Sequence, residues 1–260
     1  MQVRRIQKSV LGLLLLVGLS ACSGGGDTPA PAPTPSPAAS AEGLWYGATN
    51  TIPSRTVTGV VLDDGVYWFL YSVAGDSSII AGVVQGDSSS QDGVLNSSNT
   101  TDFSIERTPL ILNPTVDGSY TMKQSLSGTI SYSNPNTQNS FTTTYDSNYE
   151  LAPDITAVAG TYIGPVSLNE TVEVTVSPNG DITGHSISGP PATQCTFIGS
   201  FKPRTHGNVF NVTITFGGQA SCSNGNGTVN GVGVFHAGKL YSAALNSGKT
   251  NGVVFIGTKQ

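Results

Sequence analysis

A β-hairpin is written into this chain twice, and the repeat dictates its architecture. Residues 56–62 and 66–73 flank Asp63-Asp64-Gly65, and residues 171–177 and 181–187 flank Pro178-Asn179-Gly180. Asp-Gly and Asn-Gly supply the positive-φ positions of two-residue hairpin turns, so each segment reads as an antiparallel strand pair. Ahead of each hairpin stands a Gly-x-aromatic-x-Gly opening, GLWYG at residues 43–47 and GTYIG at residues 160–164. The openings lie 117 residues apart and the turn glycines 115 apart. That spacing predicts a duplicated β domain.

Composition agrees. Ser, Thr and Asn make up 77 of the 260 residues, with Gly 32 and Pro 15, and only 10% are charged. Such residues favour turns and interrupt helices, so an all-helical chain is excluded. Further strands read at 78–85, 93–98, 102–106, 119–132 and 140–145 in the first half. In the second they read at 195–202, 208–216, 228–235, 239–245 and 252–258. The expectation is an all-β chain of two tandem small antiparallel up-and-down barrels, each of about eight strands, at 43–152 and 160–260. Closure removes the sheet edges that invite aggregation. The linker 153–159 holds the one helical turn expected after the signal segment.

The N-terminus reads as an address. Arg4, Arg5 and Lys8 precede an apolar run over 10–19, too short to span as a mature helix, and the run ends in Leu19-Ser20-Ala21-Cys22. An apolar residue, two small residues and a cysteine in that order resemble the lipobox of bacterial lipoproteins. The resemblance implies a signal peptide at 1–21 and lipidation of Cys22; an ordinary secretory signal with an incidental cysteine is the alternative. Acyl chains contribute about 0.8 kcal/mol per buried CH₂, so two or more anchor stably. Ser rather than Asp at position 23 implies, by the same resemblance, the outer membrane, on its periplasmic or its surface-exposed face. Residues 22–42 then form a disordered Pro/Ala/Gly tether, its alternating prolines favouring a stiff polyproline stretch that reaches roughly 60 Å.

With Cys22 lipidated, Cys195 and Cys222 remain as an even pair in an oxidising compartment, which predicts a disulfide. A metal pair is the weaker reading, since neither belongs to a CxxC or a nearby ligand cluster. The formal net charge of -5 disfavours nucleic acid as a partner, because phosphate binding needs a basic face. The charge is uneven. Residues 22–157 carry 13 acidic and 3 basic side chains, residues 158–260 carry 3 acidic and 5 basic, and none of the carboxylate side chains follows Asp181. The halves therefore present different surfaces, to each other, to a partner or to solvent.

A small barrel opening on Gly-x-Trp resembles the lipocalin-like (calycin) pattern. Two barrels behind a lipid tether also resemble surface lipoproteins such as transferrin-binding protein B and factor H-binding protein, and uncharacterised proteobacterial lipoproteins with the same opening. These resemblances rest on GLWYG and the strand count, and carry over no binding residue.

Catalytic signals fail on inspection. Ser247-Gly248-Lys249-Thr250 ends like a phosphate-binding loop, but the motif's first glycine falls at Ala243 and a strand, not a helix, follows. Residues 184–188 (GHSIS) approach a nucleophile elbow but end in Ser, without strand-turn-helix context. Asn-x-Ser/Thr triplets such as Asn211-Val212-Thr213 follow from composition. His185, His206 and His236 lie on three separate predicted strands or turns, which argues against a metal site, and the hairpin turn explains Asp63 and Asp64. No catalytic residue, metal or cofactor is expected. The stretch 66–71, VYWFLY, is more informative. Alternation puts Tyr67, Phe69 and Tyr71 on one face and Trp68 and Leu70 on the other, so one face lines a barrel. The other, with Trp45, offers an aromatic binding surface for a protein or glycan at the cell surface, or a contact with the neighbouring domain. The leading expectation is a non-enzymatic envelope lipoprotein with a binding or structural role. A lipocalin-like carrier of a small apolar ligand and an envelope hydrolase are the alternatives.

Overall fold

Strands follow one another with little interruption, because most polar runs between them are short enough to be turns. The computed structural model describes residues 40–260; the signal segment 1–21, Cys22 and most of the tether lie outside them. The first half contains β1 (Gly43–Thr49), β2 (Thr56–Val61), β3 (Val66–Val73), β4 (Asp76–Asp87), β5 (Ser89–Gln91), β6 (Val94–Ser97), β7 (Thr101–Ser104), β8 (Ile111–Leu112), β9 (Thr115–Thr121), β10 (Ser125–Ser133) and β11 (Asn136–Asp146). The second contains β12 (Gly160–Pro165), β13 (Thr171–Val176), β14 (Asp181–Ser186), β15 (Thr196–Pro203), β16 (Phe210–Phe216), β17 (Thr228–His236), β18 (Lys239–Leu245) and β19 (Gly252–Lys259). An α-helical turn, Ile155–Val158, falls where the sequence predicts one, with Asp154 accepting from the Thr156 N–H at its start.

Both duplicated hairpins form, by the same bonds. The Leu62 N–H donates to the Val66 carbonyl (2.8 Å) and the Gly65 N–H to the Leu62 carbonyl (3.0 Å). In the second half the Ser177 N–H donates to the Asp181 carbonyl and the Gly180 N–H to the Ser177 carbonyl, both at 2.9 Å. Only the glycines take positive φ, 83° and 84°. The connections are therefore three-residue loops ending in a left-handed glycine, rather than the two-residue turns expected. The Gly-x-aromatic-x-Gly openings also coincide physically. Trp45 Nε1 donates to the Ala41 carbonyl and the Tyr162 hydroxyl to that of Val158, each four residues upstream. Gly47 and Gly164 sit where a Cβ would fall 2.0 and 1.9 Å from a carbonyl oxygen of the adjoining strand.

The second half is a closed antiparallel barrel in chain order, β12 to β19. The first is a curled eleven-stranded sheet in the order β5-β6-β9-β10-β11-β1-β2-β3-β4-β7-β8. The chain itself brings the sheet round, since β4 and β5 are consecutive, separated only by Ser88. Counting them as one kinked strand gives a ring of eight, with β7 and β8 as an excursion paired to the first part of that strand. Ser88 anchors the kink by donating from its N–H to the Gly65 carbonyl (2.9 Å). One core fills the curl, with Trp45, Phe69, Val84, Leu95, Tyr120 and Phe141 drawn from strands all around it. The stretch read as one strand over 119–132 is the hairpin β9–β10, reversing where Lys123 takes φ 54°.

A further core joins the two halves. Leu44, Val60, Trp68 and Val83 on the outside of the first sheet meet Val234, Leu245, Val254 and Ile256 on the outside of β17–β19. Residues 40–260 consequently lie within one compact unit. Polar side chains meet at its margins: Arg204 pairs with Asp63 (2.7 Å), and His236 Nδ1 lies 3.2 Å from an Asp146 carboxylate oxygen while its ring stacks on Tyr46. Cys195 and Cys222 form the expected disulfide.

Candidate functional site

The closed barrel is only half filled. Toward the β13–β14 loop its interior is plugged: Phe201 stacks on Phe210 with centroids 4.6 Å apart, and Tyr162 lies fully buried. Burial raises the Tyr162 hydroxyl to about 12, so it stays a neutral donor. Toward the other end the interior holds a cavity of about 400 Å³. Period-two alternation points Val172 and Val174 of β13, Ile214 of β16, and Val253 and Phe255 of β19 into it. The intervening residues Val254 and Ile256 face the first half. This is why β19 reads as a continuous apolar run: both of its faces are buried.

Polar groups gather at the rim and are largely satisfied. The Ser186 hydroxyl donates to Glu170 (2.8 Å). The disulfide joins the start of β15 to the β16–β17 loop at this end. Asn224 Nδ2 donates to the Gly252 carbonyl and Asn251 Nδ2 to the Ser223 carbonyl, both at 3.1 Å, which ties the loop to the β18–β19 turn. An apolar interior with a small polar rim is the usual anatomy of a small-molecule pocket, and 400 Å³ lies within the common size range.

One wall comes from the other half. Strands β12 and β19 pair only through Tyr162–Lys259 and Ile163–Thr258. Strand β4 packs against both, and the excursion paired to β4 sends Phe103, Ile105 and Leu110 into the lining of the cavity. The Ser104 N–H donates to the Leu110 carbonyl (2.8 Å) and the Ile105 N–H to the Ala81 carbonyl (2.8 Å), which holds this strap in place. Sequence reasoning missed the strap, because residues 105–110 carry no alternation.

The aromatic surface expected at Trp45, Tyr67, Trp68, Phe69 and Tyr71 is corrected by the structure, because barrel closure and the second half cover both faces of β3. Trp45, Tyr67 and Phe69 lie inside the first sheet, with the Tyr67 hydroxyl on Thr100 (2.7 Å). Trp68 is 8% exposed and fills the contact between halves, which is the other role the sequence allowed it. Tyr71 is half-buried and donates to Asp102 (2.8 Å). His185, His206 and His236 do not converge, and among the described residues no group of three or more His, Cys, Asp or Glu side chains could hold a metal. Cys22 lies outside the described residues. No protein-family model matches the chain, and no curated protein is significantly similar to it.

Proposed function

We propose that this chain is a non-enzymatic binding protein of the bacterial envelope, anchored through lipid on Cys22, whose second barrel carries a small apolar molecule. The observation that supports this reading is the apolar lumen of about 400 Å³ beneath a polar rim. A barrel of eight strands can be filled by its own side chains or left to hold one small ligand. Here glycine and short side chains such as Ser242 and Gly252 line the hollow where bulk could have filled it. The anchor and tether fit the role, since a carrier held within roughly 60 Å of a lipid surface exchanges cargo with that surface at high effective concentration.

The test is titration of the chain with N-phenyl-1-naphthylamine, a neutral apolar fluorophore. Saturable one-to-one binding that disappears in Ser242→Trp, which fills the lumen, is the expected result. Absent or unchanged binding rejects the carrier. Palmitate labelling lost in Cys22→Ala tests the anchor separately.

A further inference from the structure

The first half holds a second cavity, of about 520 Å³, and its chemistry is different. Its floor is apolar and aromatic, with Phe69, Phe141, Val84 and Ile130. Above the floor sits Asp102, 0% exposed. Its carboxylate accepts from the Tyr71 hydroxyl (2.8 Å), the Tyr132 hydroxyl (2.7 Å) and Arg107 Nη1 (2.8 Å). Beside it Arg55 donates to the Ser72 carbonyl (2.8 Å), pairs with Glu106 (2.7 Å) and lies 5.6 Å from the centre of the Tyr71 ring. Arg107 Nε is buried and has no hydrogen-bond partner. Asn139 and Thr137 complete the lining with amide and hydroxyl groups.

This arrangement selects a ligand class. Two guanidinium groups are matched by two carboxylates, so an added charge of either sign would find no free counter-charge among them. The ligand is therefore neutral. Asn139 and Thr137 offer both donors and acceptors, so hydroxyl groups suit them. The aromatic floor calls for an apolar face. A sugar ring has C–H groups on its faces and hydroxyls around its edge, and the volume accommodates one. We propose that the first-half cavity binds a neutral saccharide unit, with Asn139 and Thr137 on its hydroxyls and Phe69 and Phe141 beneath it. The proposal concerns a different cavity from the carrier lumen and does not rest on it.

The experiment is saturation-transfer NMR on the full chain carrying Cys22→Ala, with methyl glycosides of glucose, galactose, mannose and N-acetylglucosamine, each to about 10 mM to reach weak affinities. At least one glycoside is expected to bind saturably and to shift the labelled-ring signals of Tyr71 and Tyr132 but not that of Tyr162. Asn139→Trp, which narrows the cavity, is expected to weaken binding at least tenfold while fluorophore binding in the other lumen persists. No saturable binding, or binding that leaves Tyr71 and Tyr132 unmoved, overturns the site. Stronger binding of glucuronate or glucosamine than of the neutral glycosides overturns the assigned class. The tyrosine shifts in the unmodified cavity decide the matter even if the Trp variant fails to fold.

Discussion

Glycine does two jobs in these barrels, and only one of them is conformational. Gly59, Gly128, Gly184 and Gly233 sit within strands against the rings of Phe69, Phe141, Phe197 and Phe201. A Cβ there would fall 2.2, 2.7, 2.3 and 2.2 Å from the ring. An eight-stranded barrel is narrow enough that a phenyl ring needs a neighbour without a side chain. Gly233→Ala should therefore displace Phe201 from its stack on Phe210 and cost about 1–3 kcal/mol, the usual range for overpacking. A urea midpoint shift at constant slope measures it, and an unmoved midpoint would contradict the packing argument. In sequence these glycines fall inside predicted strands, with nothing to mark the rings they meet. The alternation of VYWFLY was legible, and Tyr67, Phe69 and Tyr71 do share a face. What lay against the opposite face was not, because burial of both faces looks the same as exposure of one. Asp102 was equally hidden, since its partners Tyr71 and Tyr132 lie some thirty residues away on either side and reach it only through closure of the sheet.

Elements were legible where glycine or asparagine announced a turn. The hairpins on Gly65 and Gly180 stand where the sequence places them. The β9–β10 reversal was read through because Lys123, not glycine, takes the left-handed position. The β2–β3 loop also reaches beyond its hairpin: Arg204 of the second half bonds Asp63 and holds its carboxyl below the usual range, helped less strongly by the charge of His206. A depressed folded-state pKa contributes stability above the unfolded value of about 3.9 and loses it as pH falls through the folded value. Arg204→Gln should thus be less stable than the parent by up to about 1 kcal/mol at pH 6, as for a partly exposed pair. That gap should close in acid, as pH falls from the unfolded value through the depressed folded one and Asp63 protonates. Chemical unfolding at pH 6 and in acid checks it, and a gap that persists in acid would assign the effect to packing of Arg204 instead. The disulfide is a second element-scale device. Replacing Cys195 and Cys222 together with Ala should cost about 2–5 kcal/mol in unfolding free energy. It should also loosen the rim held by Asn224 and Asn251, seen as faster release of the fluorophore from the lumen.

At the scale of the molecule, the uneven charge of the sequence finds its place between the halves, where Asp63 and Asp64 of the acidic half meet Arg204 of the other. The pairing also builds a shared partition. Along the segment beginning at Asp102, Asp102, Ser104, Glu106 and Arg107 face the first-half cavity, while Phe103, Ile105 and Leu110 face the second-half lumen. Strand alternation thus gives one stretch of backbone two chemistries, polar on one side and apolar on the other. Arg107 bonds both Asp102 and the Leu110 carbonyl (3.3 Å), so the strap over the lumen is moored in the cavity of the other half. Leu110 is 38% exposed, so changing it should disturb stability by no more than about 0.5 kcal/mol. As part of the lumen wall it should nevertheless govern what the lumen holds. Leu110→Asp places a carboxylate against an apolar ligand and is expected to weaken N-phenyl-1-naphthylamine binding at least tenfold, with the melting temperature nearly unchanged. Undiminished affinity in that variant would mean that the second barrel binds alone and the first half only shelters it. Weakened affinity would make the two halves a single binding device, which is what the strap's position implies.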